Sequence, residues 1–224
     1  MKLLSVAKAR SIWVMRFEDM NIQGRSLIPF IFAIRERYGF IEHTKLEDIP
    51  HLAEKGMGMS FLRGSFINSA QIPVAVDMAI YSDAVSAETH SSTDDSNAFL
   101  EDVFRWATHE FGLSSHDGLV RSRIYLSELS VWTDKSLNTI NPNFSAFLSL
   151  YSTKVSKYID RPVSFQTTGI IFGHDRTVPN PYGNFRFERA DPGSFSENRY
   201  YSVANLPTTE HLEILNELES LLRR

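Results

Sequence analysis

Residues 72–80 read IPVAVDMAI, and residues 84–89 read AVSAET. Ile72, Val74, Val76, Met78 and Ile80 fall on one side of an extended chain. Pro73, Ala75, Asp77 and Ala79 fall on the other. Period-two alternation of this kind predicts a half-buried strand. Ser82 and Asp83 then supply a tight turn into a second strand at 85–89. The pair predicts a hairpin at the centre of a sheet with one buried face.

Upstream, residues 12–17 (IWVMRF) predict a first strand, and Asn21-Ile22-Gln23-Gly24 a turn. Ser26 can cap a helix whose first turn tolerates Pro29 and whose stripe is Leu27, Phe30, Ile31 and Ile34. Gly39 is its natural stop. Residues 40–60, with Pro50, Gly56 and Gly58, read as irregular.

Downstream, SSTDDS leads into a helix over about 95–111, with Leu100, Val103, Phe104, Ala107 and Phe111 spaced by three and four. Ser92 or Thr93 can accept from its free N–H groups, Asp94 and Asp95 complement its dipole, and Gly112 ends it. A strand is predicted at 124–132. A helix opening at Asn141-Pro142 carries Phe144, Phe147, Leu148, Tyr151, Val155 and Tyr158 on one face. Strands follow at 163–172, 185–189 and 200–203. A last helix begins at Pro207-Thr208-Thr209, with Leu212, Leu215, Leu218 and Leu222 as its stripe.

Strands therefore come in groups and do not alternate strictly with helices. That favours an α+β fold: a mainly antiparallel sheet of about five to eight strands flanked by three or four helices. No repeat or Gly/Ser/Pro-rich linker separates two halves, so the chain reads as a single α+β domain over 1–224.

With 224 residues and 42% hydrophobic composition, the chain can fill a core without staples. A net charge of −4, with basic and acidic residues interspersed, disfavours general nucleic-acid binding. The absence of cysteine removes thiol catalysis, Cys-ligated zinc and disulfides. Lys8 and Arg10 interrupt the apolar start, and no apolar run reaches a membrane-spanning length. The expected setting is the cytoplasm of a bacterium or of a phage-infected cell.

Motifs that fix a reaction are missing from the sequence. It holds no Gly-x-Ser-x-Gly, no Gly-x-x-x-x-Gly-Lys-Ser/Thr, no His-Glu-x-x-His and no Gly-x-Gly-x-x-Gly after a strand. His109-Glu110 is followed by Leu113 where a zinc helix needs its second histidine. Asp94 and Asp95, beside His90 and Thr93, read as helix capping, with no metal expected. Glu128 alternates with Leu129 and Val131 and is expected to face solvent or a cross-strand arginine. No cofactor is expected.

The densest polar and aromatic window is 185–202, FRFERADPGSFSENRYYS. Arg186 and Glu188 share one face of a strand, with Phe185 and Phe187 on the other. Pro192 and Gly193 break regular structure, so Glu197, Asn198 and Arg199 need partners off the ladder, and Arg189 and Tyr200 flank them as further binding or interface candidates. The simplest reading is an Arg–carboxylate lattice that orders the segment. Arg, Tyr and Phe are also the residues enriched at protein interfaces. A third reading is a ligand site, with His174 and Asp175 as additional candidates on a nearby loop.

Together these features point to a non-enzymatic interaction or assembly protein, an oligomer or a subunit of a complex, whose partner is protein: itself or another subunit. The alternative is a small-ligand binder or an enzyme that holds an anionic substrate through the Arg/Glu/His cluster of the C-terminal third.

Overall fold

Alternation decides the sheet in the structure, as it does in the sequence. The structure is a computed structural model that describes residues 1–16, 28–48, 58–141, 143–175, 177, 183–190 and 195–222. Within these residues the chain forms β1 (Lys2–Val14), α1 (Ile28–Tyr38), β2 (Glu42–His43), β3 (Met59–Ile67), β4 (Pro73–Ile80) and β5 (Ala84–Thr89). Then come α2 (Thr93–Phe111), β6 (Ser122–Trp132), α3 (Asn143–Ile159), β7 (Gly169–Phe172), β8 (Phe185–Arg189), β9 (Arg199–Ala204) and α4 (Thr208–Leu221). The class is α+β, with antiparallel strands and flanking helices. The turn at 21–24, the Ser26 cap, Leu27, Pro50, Gly56, Pro142 and the Pro192-Gly193 break lie outside the described residues.

Chain contacts group into two compact units. The N-terminal unit comprises Val6–Ser127 with Asn205–Thr208. The C-terminal unit comprises Met1–Ser5, Glu128–Ala204 and Thr209–Arg224. The division falls inside β1 and inside β6.

In the N-terminal unit the strands are ordered β2-β3-β4-β5-β1-β6. The β4–β5 hairpin closes as its sequence predicts, with Tyr81 N–H donating to Ala84 O at 2.7 Å. Val74, Val76, Met78 and Ile80 are buried, while Pro73 and Ala75 are exposed. Ile72 precedes the strand and stays exposed. β1 begins well before residue 12, because Ala9, Ser11 and Trp13 alternate inward while Lys8, Arg10 and Ile12 alternate outward. The charged residues near the N-terminus are thus the outer face of a strand. Arg10 sits opposite Glu88, its Nε donating to Oε2 at 2.8 Å.

Aromatic side chains fill the core under this sheet. Trp13 stacks on Phe104 at 5.4 Å, and Phe99 takes Tyr38 at 4.8 Å and Phe66 at 5.4 Å. The buried Trp13 indole N–H donates to Asn97 Oδ1 at 3.0 Å, so its polar edge is satisfied.

Helix α2 starts and stops as its sequence dictates. Ser92 is the cap: its Oγ accepts from Asp95 N–H at 3.0 Å. Gly112 takes φ 63° and donates to Thr108 O, the left-handed ending that favours glycine. Thr93 and Thr208 cap reciprocally: each backbone N–H donates to the other's hydroxyl, at 3.0 and 2.7 Å.

In the C-terminal unit the order is β6-β9-β8-β7. Leu215, Leu218 and Leu222 are buried, so the last leucine stripe packs inward as expected. The strand expected at 163–172 shortens to Gly169–Phe172. Side chains capture alternate N–H groups of the preceding segment: Val163 donates to Ser156 Oγ, Phe165 to Ser152 Oγ and Thr167 to Asn138 Oδ1, each at 2.9 Å. The segment is extended but not laddered.

Ser92→Ala removes one cap acceptor and leaves the core untouched. Urea unfolding should show a loss of about 1 kcal/mol with an unchanged dependence on denaturant.

Candidate functional site

Strands β8 and β9 carry most of the residues that the sequence singles out. Their register sets Arg186 opposite Val203, Phe187 opposite Ser202, Glu188 opposite Tyr201 and Arg189 opposite Tyr200. Side chains of one strand alternate between faces, so the cluster divides. Arg186, Glu188 and Tyr201 share one face. Phe187, Arg189, Tyr200 and Ser202 share the other.

On the first face Tyr201 Oη–H donates to Glu128 Oε2. Glu128 lies opposite the buried Leu129 and Val131, as its alternation predicts, and it accepts from a cross-strand tyrosine. Burial and then the Glu128 carboxylate raise the Tyr201 pKa, with Glu188 adding and Arg186 opposing. The phenol therefore remains a donor.

On the second face Phe187 stacks on Tyr200 at 4.6 Å, and the Arg189 guanidinium lies 5.3 Å from the Tyr200 ring centre. Phe187 and Tyr200 are fully buried. Burial raises the Tyr200 pKa, and Arg189 opposes it. Tyr200 is thus part of the core, and Arg189 lies against it as a cation over a ring.

The remaining candidates scatter. Asn198 holds φ 49°, a left-handed conformation that asparagine tolerates, and its carbonyl accepts from Thr133 N–H at 3.3 Å. Glu197 and Arg199 are exposed. His174 Nδ1–H donates to Asp175 O at 3.0 Å. Asp175 Oδ1 accepts from Thr177 N–H at 2.9 Å, which lowers its pKa. Both follow β7 at the end where Phe172 meets Phe185, whereas Arg189 stands at the other end of β8. Four residues of strand span roughly 13 Å, so the register separates His174 and Asp175 from Arg189 and Arg199.

Asp95 accepts from Asn68 Nδ2 at 3.0 Å within the cap of α2. His90 Nδ1–H donates to Ala7 O at 2.6 Å. Each is engaged in local structure.

A pair that sequence reading missed is Ser202 with His211. Ser202 Oγ–H donates to Arg186 O at 2.9 Å and accepts from His211 Nε2–H at 2.8 Å. Both side chains are fully buried. A serine nucleophile needs its proton directed at an imidazole acceptor. Here the hydroxyl proton goes to a backbone carbonyl and the imidazole is the donor, so the pair is a structural tie.

Two clefts are of note. In the N-terminal unit Glu101, Arg105, Thr108, Ser115, Asp117 and Arg123 line about 440 Å³. Its charges are of both signs, and Arg123 lies over the Trp13 ring at 4.7 Å. In the C-terminal unit a groove of about 580 Å³ runs between α3 and residues 162–166, lined by Ser145, Ser149, Ser152, Ser156 and neighbours.

Helix α3 differs from the other helices among the described residues. It has seventeen residues and no buried side chain. The apolar face that the sequence marks is open at Phe144, Phe147 and Tyr151 and at Tyr158, which is 88% exposed, whereas its Leu148 and Val155 are half-buried; Leu150, outside that face, is exposed as well. Phe147 stacks on Tyr151 at 6.1 Å, and Tyr151 meets Phe165 edge-on at 4.6 Å. Residues 136–153 carry no charged side chain. Among the described residues, no helix is long and apolar enough to cross a membrane.

No known protein-family profile matches this sequence, and no curated protein matches it either.

Burial holds His211 down at about 4, below the ordinary 6.5. As pH falls through 6.5 the unfolded chain takes up this proton, and the folded chain does not until about 4. Stability therefore falls across that window, by about 3 kcal/mol for this group. The His211→Gln variant should lose correspondingly less stability between pH 7 and pH 4, measured by urea unfolding at each pH.

Proposed function

We propose that this chain is a protein-interaction and assembly protein that works as an oligomer, with a second copy of itself as partner. The observation that carries this reading is α3, a helix whose aromatic stripe is left largely exposed among the described residues. Contiguous exposed apolar surface of this kind marks interaction sites in water-soluble proteins. Phenylalanine and tyrosine are the side chains that interfaces favour.

Charge is compatible with a like partner at this surface. Each chain carries a net −4, so two copies repel unless they meet over a neutral surface. The first three turns of α3 are such a surface, since the first charge is Lys154. A partner chosen by opposite charge would find nothing there to read.

The reading of a site for an anionic ligand in the C-terminal third has weaker support. Arg186 and Arg189 stand on opposite faces of β8, and His174 and Asp175 follow β7 at the Phe185 end, away from Arg189.

Light scattering on the eluting protein should give a mass of a multiple of 25.6 kDa. Phe147→Glu should shift the protein toward monomer, with a folding stability within about 0.5 kcal/mol of the parent, as for an exposed site. A parent chain that stays at 25.6 kDa at every accessible concentration would contradict the proposal.

A further inference from the structure

The C-terminal unit ends its strand order on β7, which pairs with β8 along one side. Hydrogen bonds show which of its backbone groups are used. Arg189 N–H donates to Thr168 O at 2.7 Å, and Ala190 N–H to Arg199 O at 3.0 Å. In β8 the odd-numbered residues therefore face β7 and the even-numbered ones face β9. Across the register, Ile170 and Phe172 bond to Phe187 and Phe185. Gly169 and Ile171 turn their N–H and C=O groups outward, where no described residue takes them.

Open edges of this kind are templates for another strand, and folded proteins usually blunt them with charge, proline, a bulge or brevity. In the N-terminal unit the terminal strand β2 is treated that way: it is two residues long, and Glu42 is ion-paired with Arg63. At β7, four residues long, brevity is the one such device, and charge and proline are missing. Residues 163–173, VSFQTTGIIFG, contain neither charge nor proline, and Ile171 and Phe172 are 55% and 58% exposed.

We infer that β7 is an assembly edge that pairs antiparallel with β7 of a second copy, across a two-fold axis. This inference rests on the self-assembly reading above and adds the surface and its geometry. An antiparallel edge is its own complement under two-fold rotation, because each outward N–H and C=O meets the same groups of the other chain in reverse order. A neutral segment opposes its own copy without repulsion, which matters for a chain of net charge −4. The pairing satisfies the outward groups of Gly169 and Ile171, and it extends the sheet of each copy.

The alternation of bonds makes the test selective. Ile171→Pro deletes an outward N–H and leaves every β7–β8 bond in place, whereas proline at 170 would cut into the ladder. Sedimentation of the full chain should show that Ile171→Pro raises the dimer dissociation constant about tenfold or more, the worth of a few lost hydrogen bonds. Ile171→Lys, which keeps the N–H but sets like charges together, should do the same.

The chain has no cysteine, so single substitutions report cleanly. Under mild oxidation the Ile170→Cys or Ile171→Cys variant should form a disulfide-linked dimer. The Ile41→Cys variant, on an exposed site of the N-terminal unit, should stay monomeric under the same conditions. The inference is overturned if both Ile171 variants dimerise like the parent, or if neither edge cysteine crosslinks better than the one at 41. If Phe147→Glu abolishes assembly while Ile171→Pro does not, the β7 edge is wrong and the self-assembly reading stands. A parent chain that is always monomeric overturns both.

Discussion

A single layer of helix can bury only one face of an antiparallel sheet, and among the described residues helical cover runs out before the apolar surface does. In the N-terminal unit α1 and α2 close over Trp13, Phe61, Phe66 and the inward residues of β4. The outward residues are left to Arg10, Glu88 and Asp77. In the C-terminal unit α4 supplies buried leucines and ties to β9 through His211 and Ser202. Helix α3 has half-buried side chains but none fully buried, and no described residue pairs with the outer side of β7. Both features belong to the same unit; β7 carries no charge, and α3 carries none before Lys154. An exposed apolar helix and an uncharged strand edge are each costly for a solitary protein, and assembly relieves both.

Much of this arrangement was legible in the amino-acid sequence. The hairpin of 73–89 announced itself by strict alternation, and α2 by its Ser92 cap, its spacing and Gly112. Those features are local, so a few neighbouring residues suffice to specify them. The helix at 143–159 was legible as a helix with an apolar face. Its periodicity says that one face is apolar but not what covers it, and only tertiary structure showed that the described residues leave most of its aromatic side chains exposed.

Other features depended on contacts between residues far apart in sequence. Glu128 pairs with Tyr201, seventy-three positions away, because β6 and β9 are neighbours. The Ser202–His211 tie unites a small strand residue and a histidine that each look unremarkable in isolation. The aromatic and charged window of 185–202 was correctly marked as dense, yet strand alternation splits it between two faces. Phe187 and Tyr200 go to the core, and Arg186 and Glu188 go to the side of Glu128. Density in sequence is therefore not convergence in space. The 163–172 run reads as one strand because its residues suit extended chain, while serines of α3 claim its alternate amides.

The account turns on whether the outward amides of β7 are bonded to another chain in solution. Hydrogen exchange of the Gly169 and Ile171 amides, followed against protein concentration, measures this directly. The account predicts exchange that slows markedly as concentration rises and matches the dimerisation isotherm. Fast exchange of both amides at every concentration, in a sample shown to be folded by slow exchange at Phe187, would contradict it.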